Sequence, residues 1–154
     1  MTATITITNP ILSGMNPDPS WIWDDEFQRI VLVTSTFELV PGLPIYVSED
    51  MTCWKHVSNV IDADLARRLL IPFVDDSGGV YAPTLRRIHG KYVIACTIAR
   101  LDDRRAVEGG CTESELMRFH AAEGNFILEA DSIEGPWRGP FWIEGAEGID
   151  PDIF

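Results

Sequence analysis

The chain has 154 residues, 45% of them hydrophobic, and its 12 Lys and Arg against 24 Asp and Glu leave a formal net charge of −12. The apolar fraction suits a globular domain and excludes a disordered chain. No Lys/Arg stripe interrupts the acidic background, so nucleic acid is excluded as a partner. No apolar run reaches transmembrane length either, so no membrane partner is expected.

Residues 1–8 carry no basic start and no long apolar stretch. They read as an alternating strand rather than a secretion signal, so a cytoplasmic location is the expectation. Short β-strands dominate the rest of the chain. Residues 28–36 are β-branched and apolar, as a buried strand requires. Further strands are predicted at 43–48, 54–57, 79–81, 91–97, 125–130 and 140–143, with Gly90 in a hairpin turn. Helical patterns are few, at 63–70 and 113–120, and both are short. The run Asp102-Asp103-Arg104-Arg105 reads as a solvated charged turn. Cys53, Cys96 and Cys111 show no CxxC or zinc spacing, and Cys96 lies in an apolar run as a buried thiol would.

A degenerate repeat underlies these strands. Pro17-Asp18-Pro19-Ser20-Trp21-Ile22, Tyr81-Ala82-Pro83-Thr84-Leu85 and Gly148-Ile149-Asp150-Pro151-Asp152-Ile153-Phe154 each open a unit, roughly 65 residues apart. The unit ends also match, since residues 48–54 and 130–137 both read as strand, polar turn, then a Trp opening the next strand. About four strands per unit, repeated, is the signature of propeller blades. An immunoglobulin-type sandwich is the alternative, but its turns would recur without a higher-order repeat. The chain supplies two blades and the first strand of a third. A propeller ring closes with typically 4–8 blades, so the pattern predicts a longer coding sequence beyond Phe154.

Asp18 lies between two prolines just before the first strand of blade one. The prolines stiffen the segment and push Asp18 towards extended geometry, a mount that suits a catalytic carboxylate. The alternative is a turn aspartate. Asp150 holds the corresponding place in the third unit. Equivalent blade positions converge on a propeller axis, so the two carboxylates are expected to face one cavity, an arrangement used in acid/base catalysis. Asp152 is adjacent, and strand alternation would send it to the same face as Asp150. His56, His89 and His120 are isolated, and there is no phosphate loop or GxSxG elbow. Ser20 and Ser35 have no evident base. Phe37, Tyr81 and the Trp residues offer a sugar-stacking surface, with core packing as the alternative for each.

Asn9-Pro10-Ile11-Leu12, Gly14-Met15-Asn16-Pro17-Asp18-Pro19-Ser20, Thr34-Ser35-Thr36-Phe37-Glu38, Ser77-Gly78-Gly79-Val80-Tyr81-Ala82-Pro83-Thr84-Leu85, Gly135-Pro136-Trp137 and Gly148-Ile149-Asp150-Pro151 together resemble glycoside hydrolase family 43, in that family's order. The resemblance is nearest to the β-xylosidases and α-L-arabinofuranosidases. It implies an all-β, five-bladed β-propeller, of which residues 1–154 are the N-terminal part of the catalytic domain. It also implies an inverting hydrolase that removes xylosyl or arabinofuranosyl residues from plant-wall oligosaccharides and polysaccharides. Asp18 matches the family's general base, and Asp150 the carboxylate that orients the acid and raises its pKa. Phe37 and Tyr81 match aromatic positions lining the sugar pocket, although many members carry Trp where Tyr81 stands. Asp152 replaces a small residue and adds charge beside Asp150. The general acid is a Glu in a Thr-Glu-Gly-Pro run, which does not occur here. Glu134-Gly135-Pro136 matches the family's blade-two turn instead. The chain alone is therefore expected to be inactive, and a non-enzymatic carbohydrate-binding propeller is the alternative. No cofactor is implied beyond a channel calcium ion that the resemblance admits.

Overall fold

A computed structural model describes residues 6–154. Of the strand expected over 1–8, residues 1–5 lie outside the described residues and 6–8 are not in a strand. Strands β1 (Ser20–Asp24), β2 (Arg29–Val33), β3 (Gly42–Ser48) and β4 (Lys55–Ile61) form one antiparallel sheet in chain order. Lying between two partners, β2 buries all of Ile30, Val31, Leu32 and Val33, which is why it reads as continuously apolar. In β1, Trp21 and Trp23 pair with Leu32 and Ile30. Alternation then turns Ile22 and Asp24 to the opposite face.

The second sheet holds β5 (Val74–Val80), β6 (Thr84–Ile88), β7 (Lys91–Leu101), β8 (Asn125–Ala130) and β9 (Arg138–Trp142). Strands β6 to β9 repeat the four-stranded meander, and Gly90 turns β6 into β7 with φ 81°. The matching unit ends fall at equivalent places, since residues 48–54 join β3 to β4 and 130–137 join β8 to β9. Neither sheet has the crossed connections of a Greek key, and this removes the sandwich alternative. The inner strands of the two blades lie side by side, with the Leu85 amide donating to Ser20 Oγ at 3.0 Å. Between the sheets, Val31, Val33, Leu43 and Ile45 of the first pack with Leu85, Ile94, Phe126 and Leu128 of the second. Burying each such side chain contributes about 1.5–3 kcal/mol.

The helices lie in the connections. Asp62 caps α1 (Ala63–Arg68), and a single 3₁₀ turn comes next at Ile71–Phe73. The charged run at 102–105 is not a turn. Asp102 caps α2 (Asp103–Glu108), accepting from the Arg105 amide at 3.0 Å. Short polar residues at a helix start satisfy otherwise orphaned amides, a role the charge count hides. Helix α3 (Glu113–Ala121) opens with a reciprocal Thr112–Glu115 capping box.

The third repeat opening also departs from expectation. Residues 148–154 form no strand, and Asp150 takes φ 60°. A strand needs a neighbour along its edge, and none of the described residues pairs with this segment. The alternation argument for Asp150 and Asp152 therefore does not apply.

Two devices join the blades. The first is polar. Asp24 is fully buried and receives Arg87 at 2.5 Å, Arg29 at 3.7 Å and the Tyr92 hydroxyl, while Arg87 also reaches Glu26. Burial pushes the Tyr92 phenol up, and its bond to Asp24 adds to the effect. The second is a backbone bridge. Phe37 and Val80 exchange both hydrogen bonds at 2.9 Å, tying the loop after β2 to the end of β5. Gly79 permits this approach, because a Cβ there would sit 2.4 Å from the Phe37 carbonyl oxygen, and its φ is 92°. Gly79→Ala is expected to cost at least about 2 kcal/mol, combining a strained φ with a backbone clash. A urea unfolding curve within about 0.5 kcal/mol of the parent would contradict this account.

Candidate active site

Asp18 immediately precedes β1 and is exposed. Its backbone is not extended as flanking prolines suggest, for φ is 50°. Asp is among the few residues with a side chain that enter this left-handed region. Tertiary contacts hold it there. The Ser35 amide donates to the Pro17 carbonyl at 3.0 Å, and the Ser35 hydroxyl donates to Asp18 Oδ2 at 2.6 Å. Ser35 itself is fully buried. Asp150 also precedes a proline and takes a similar φ of 60°, so the two repeat openings share a backbone conformation as well as a residue type.

Asp150 is slung between two anchors. On one side, the buried Asn125 donates to the Gly148 carbonyl at 3.0 Å, and Thr97 Oγ1 orients Asn125 at 2.6 Å. On the other, Arg86 Nε donates to the Ile153 carbonyl at 2.9 Å and a terminal nitrogen of Arg86 pairs with Asp152. The extra charge of Asp152 is thus matched by a guanidinium rather than left beside Asp150. Burial pushes the Cys96 thiol up, and the charges of Asp150 and Asp18 add to the rise. The thiol contacts the Tyr81 carbonyl at 3.2 Å. Cys96 is inert apolar packing, as a thiol held in its protonated form must be.

Phe37 and Tyr81 meet edge to face with ring centroids 5.5 Å apart. Both are partly exposed, and the Tyr81 hydroxyl donates to the Ser77 carbonyl at 3.2 Å. The pair is a direct consequence of the Phe37–Val80 bridge, which delivers Tyr81 one residue later. The Trp residues do not extend it. Trp21 and Trp23 lie on the face of β1 turned from blade two, and Trp142 packs on Phe119 and Phe126. Glu134 lies in the β8–β9 turn near Arg29 and Tyr92, at the Asp24 end of β1. For a strand of five residues that is about 17 Å from the Asp18 end. Such a distance rules it out as an acid acting with Asp18.

His120 pairs with Asp103 at 3.0 Å and His56 meets Asn59 at 3.3 Å, both exposed. Among the described residues no three His, Cys, Asp or Glu side chains converge as ion ligands. A calcium ion takes 6–8 oxygen ligands, and the described residues gather no carboxylate cluster that would begin such a set. No helix of the described residues is long and apolar enough to cross a membrane. Ser35 is the site residue that sequence reasoning missed. No base stands near it in the chain, and its partner is the carboxylate 17 positions earlier.

The model of Glycosyl hydrolases family 43 matches residues 7–154. The chain belongs to this family. A non-reducing end α-L-arabinofuranosidase of Bacteroides ovatus is 36% identical over 150 residues, covering 96% of this chain and 24% of that protein. A xylan 1,3-β-xylosidase of a Vibrio species is 35% identical over 153 residues, covering 98% and 25%. Among solved structures, a mutant (K247S) of a family 43 protein from Bacillus licheniformis superposes with TM-score 0.71 at 29% identity, over 94% of this chain and 25% of that one. The family 43 chain described here spans about a quarter of the length of the curated relatives it matches. Its fold is all-β, two blades and the approach to a third of the five-bladed family 43 propeller.

Proposed function

We propose that these residues form the N-terminal part of the catalytic domain of an inverting glycoside hydrolase. It removes xylosyl or arabinofuranosyl residues from plant-wall oligosaccharides and polysaccharides. The observation that supports this reading is that Asp18 and Asp150 open two repeat units with the same left-handed backbone before a proline, at φ 50° and 60°. The family supplies the chemistry. Asp18 takes a proton from a water whose oxygen attacks the anomeric carbon. A carboxylic acid gives its proton to the leaving glycosidic oxygen as the C–O bond breaks. Asp150 orients that acid, and the Phe37–Tyr81 pair offers a ring surface to the sugar.

One observation favours a second reading for the chain alone, a carbohydrate-binding unit without turnover. Its 154 residues contain no Thr-Glu-Gly-Pro run, and Glu134 stands at the wrong end of β1. The purified 154-residue chain is expected to release no xylose from xylobiose. Release that disappears in Asp18→Asn would show that the chain carries its own acid.

A further inference from the structure

We propose that Ser35 is a positioning residue for Asp18. It presents one carboxylate oxygen to the attacking water and withholds the other. The inference rests on the reading of Asp18 as general base.

Three observations carry it. First, Asp18 holds a left-handed backbone that a non-glycine residue adopts at a cost, with φ 50°. Something outside the local sequence must hold it, because a following proline favours extended geometry instead. Second, Ser35 grips this segment twice, through its amide on the Pro17 carbonyl at 3.0 Å and its hydroxyl on Asp18 Oδ2 at 2.6 Å. A hydroxyl bonded to a carboxylate in this range is a charge-assisted contact, roughly twice as strong as a neutral one. Third, the grip is rigid on one side. Ser35 comes directly after the buried run Ile30 to Thr34 and is itself fully buried, whereas Asp18 is exposed. The hydroxyl proton has one strong acceptor among its hydrogen-bond partners, and it is Asp18.

The chemical consequence is an asymmetric base. Oδ2 accepts from Ser35, and Oδ1 has no hydrogen-bond partner among the described residues. Oδ1 therefore receives the proton of the attacking water, with the carboxylate plane set by Oδ2. Without the hydroxyl, the carboxylate rotates about its side-chain bonds and the water loses its line of attack. Misplacement by about 1 Å costs up to roughly 10²-fold in rate. Substrate binding is made elsewhere, so the loss belongs in kcat rather than KM.

The test uses the full-length protein that carries this chain, assayed on xylobiose and on an aryl α-L-arabinofuranoside. Ser35→Ala is expected to lower kcat roughly 10- to 100-fold with KM unchanged within about twofold. Ser35→Thr and Ser35→Val make a matched pair, equal in outline and differing in the hydroxyl. Threonine is expected to exceed valine in kcat by at least about tenfold, and this comparison decides the matter if the alanine variant does not fold. Equal kcat for threonine and valine, or a parental kcat in folded Ser35→Ala, overturns the proposal. Asp18→Asn run alongside separates the two levels of inference. If it alone is inactive, Asp18 remains the base and Ser35 is only a packing residue. If it retains parental kcat, the assignment of Asp18 fails, and that of Ser35 with it.

Discussion

Asp18→Asn in the full-length protein is expected to lower kcat by at least about 10²-fold while leaving the fold intact, since a positioned general base contributes roughly 10²–10⁴-fold. The amide keeps the outline of the side chain and an oxygen that accepts from Ser35. It lacks the lone-pair basicity to take a proton from water. Asp18 is exposed, so the exchange buries no new polar group and leaves the core unchanged. The expected signature is a parental unfolding curve, a KM within about twofold and a collapsed kcat. Turnover near the parental value, in a variant shown to be folded, would remove Asp18 from the mechanism.

The second large effect falls on stability. Asp24 is fully buried, accepts from Arg87 and the Tyr92 hydroxyl, and forms a longer ion pair with Arg29 at 3.7 Å. Asp24→Ala removes the carboxylate and leaves two guanidinium groups without it, with side chains only 21% and 24% exposed. The phenol loses its acceptor as well. Removing one partner of a buried ion pair costs about 3–5 kcal/mol, mainly because the charge left behind has no compensation. Glu26 cannot replace it for both arginines, since it already bonds Arg87 from the exposed rim. Urea unfolding followed by tryptophan fluorescence would measure the loss. A change below about 1 kcal/mol would show that solvent or Glu26 satisfies both arginines, and that the network contributes little.

The same network marks a division of labour along β1. Its Asp18 end carries an exposed carboxylate held by a buried serine. Its Asp24 end carries a buried carboxylate held by two largely buried cations. The first arrangement leaves an oxygen free for chemistry. The second leaves none, and ties the inner strand of one blade to its neighbour.

The amino-acid sequence by itself determined the two-blade repeat, and with it the strand order. The alternation and the continuous apolar runs at 28–36 and 91–97 specify strands, because only one pleat places those side chains in a core. It also determined where the candidate carboxylates lie, since Asp18 and Asp150 occupy equivalent openings. The short helix hidden in Asp102-Asp103-Arg104-Arg105 was not legible, because a cap and a solvated turn use the same residues. Only the tertiary structure decided the backbone of Asp18. Its neighbouring prolines favour extended geometry, and the bonds from Ser35 hold φ at 50° instead. Likewise, Arg86 matches the charge of Asp152, and Gly79 brings Phe37 to Tyr81, through contacts between segments far apart in the chain. Local patterns encode period and propensity. The hydrogen bond between Asp18 and Ser35, 17 positions apart, continues the β1–β2 register beyond Ser20 and Val33, and it forms only once those two strands have paired.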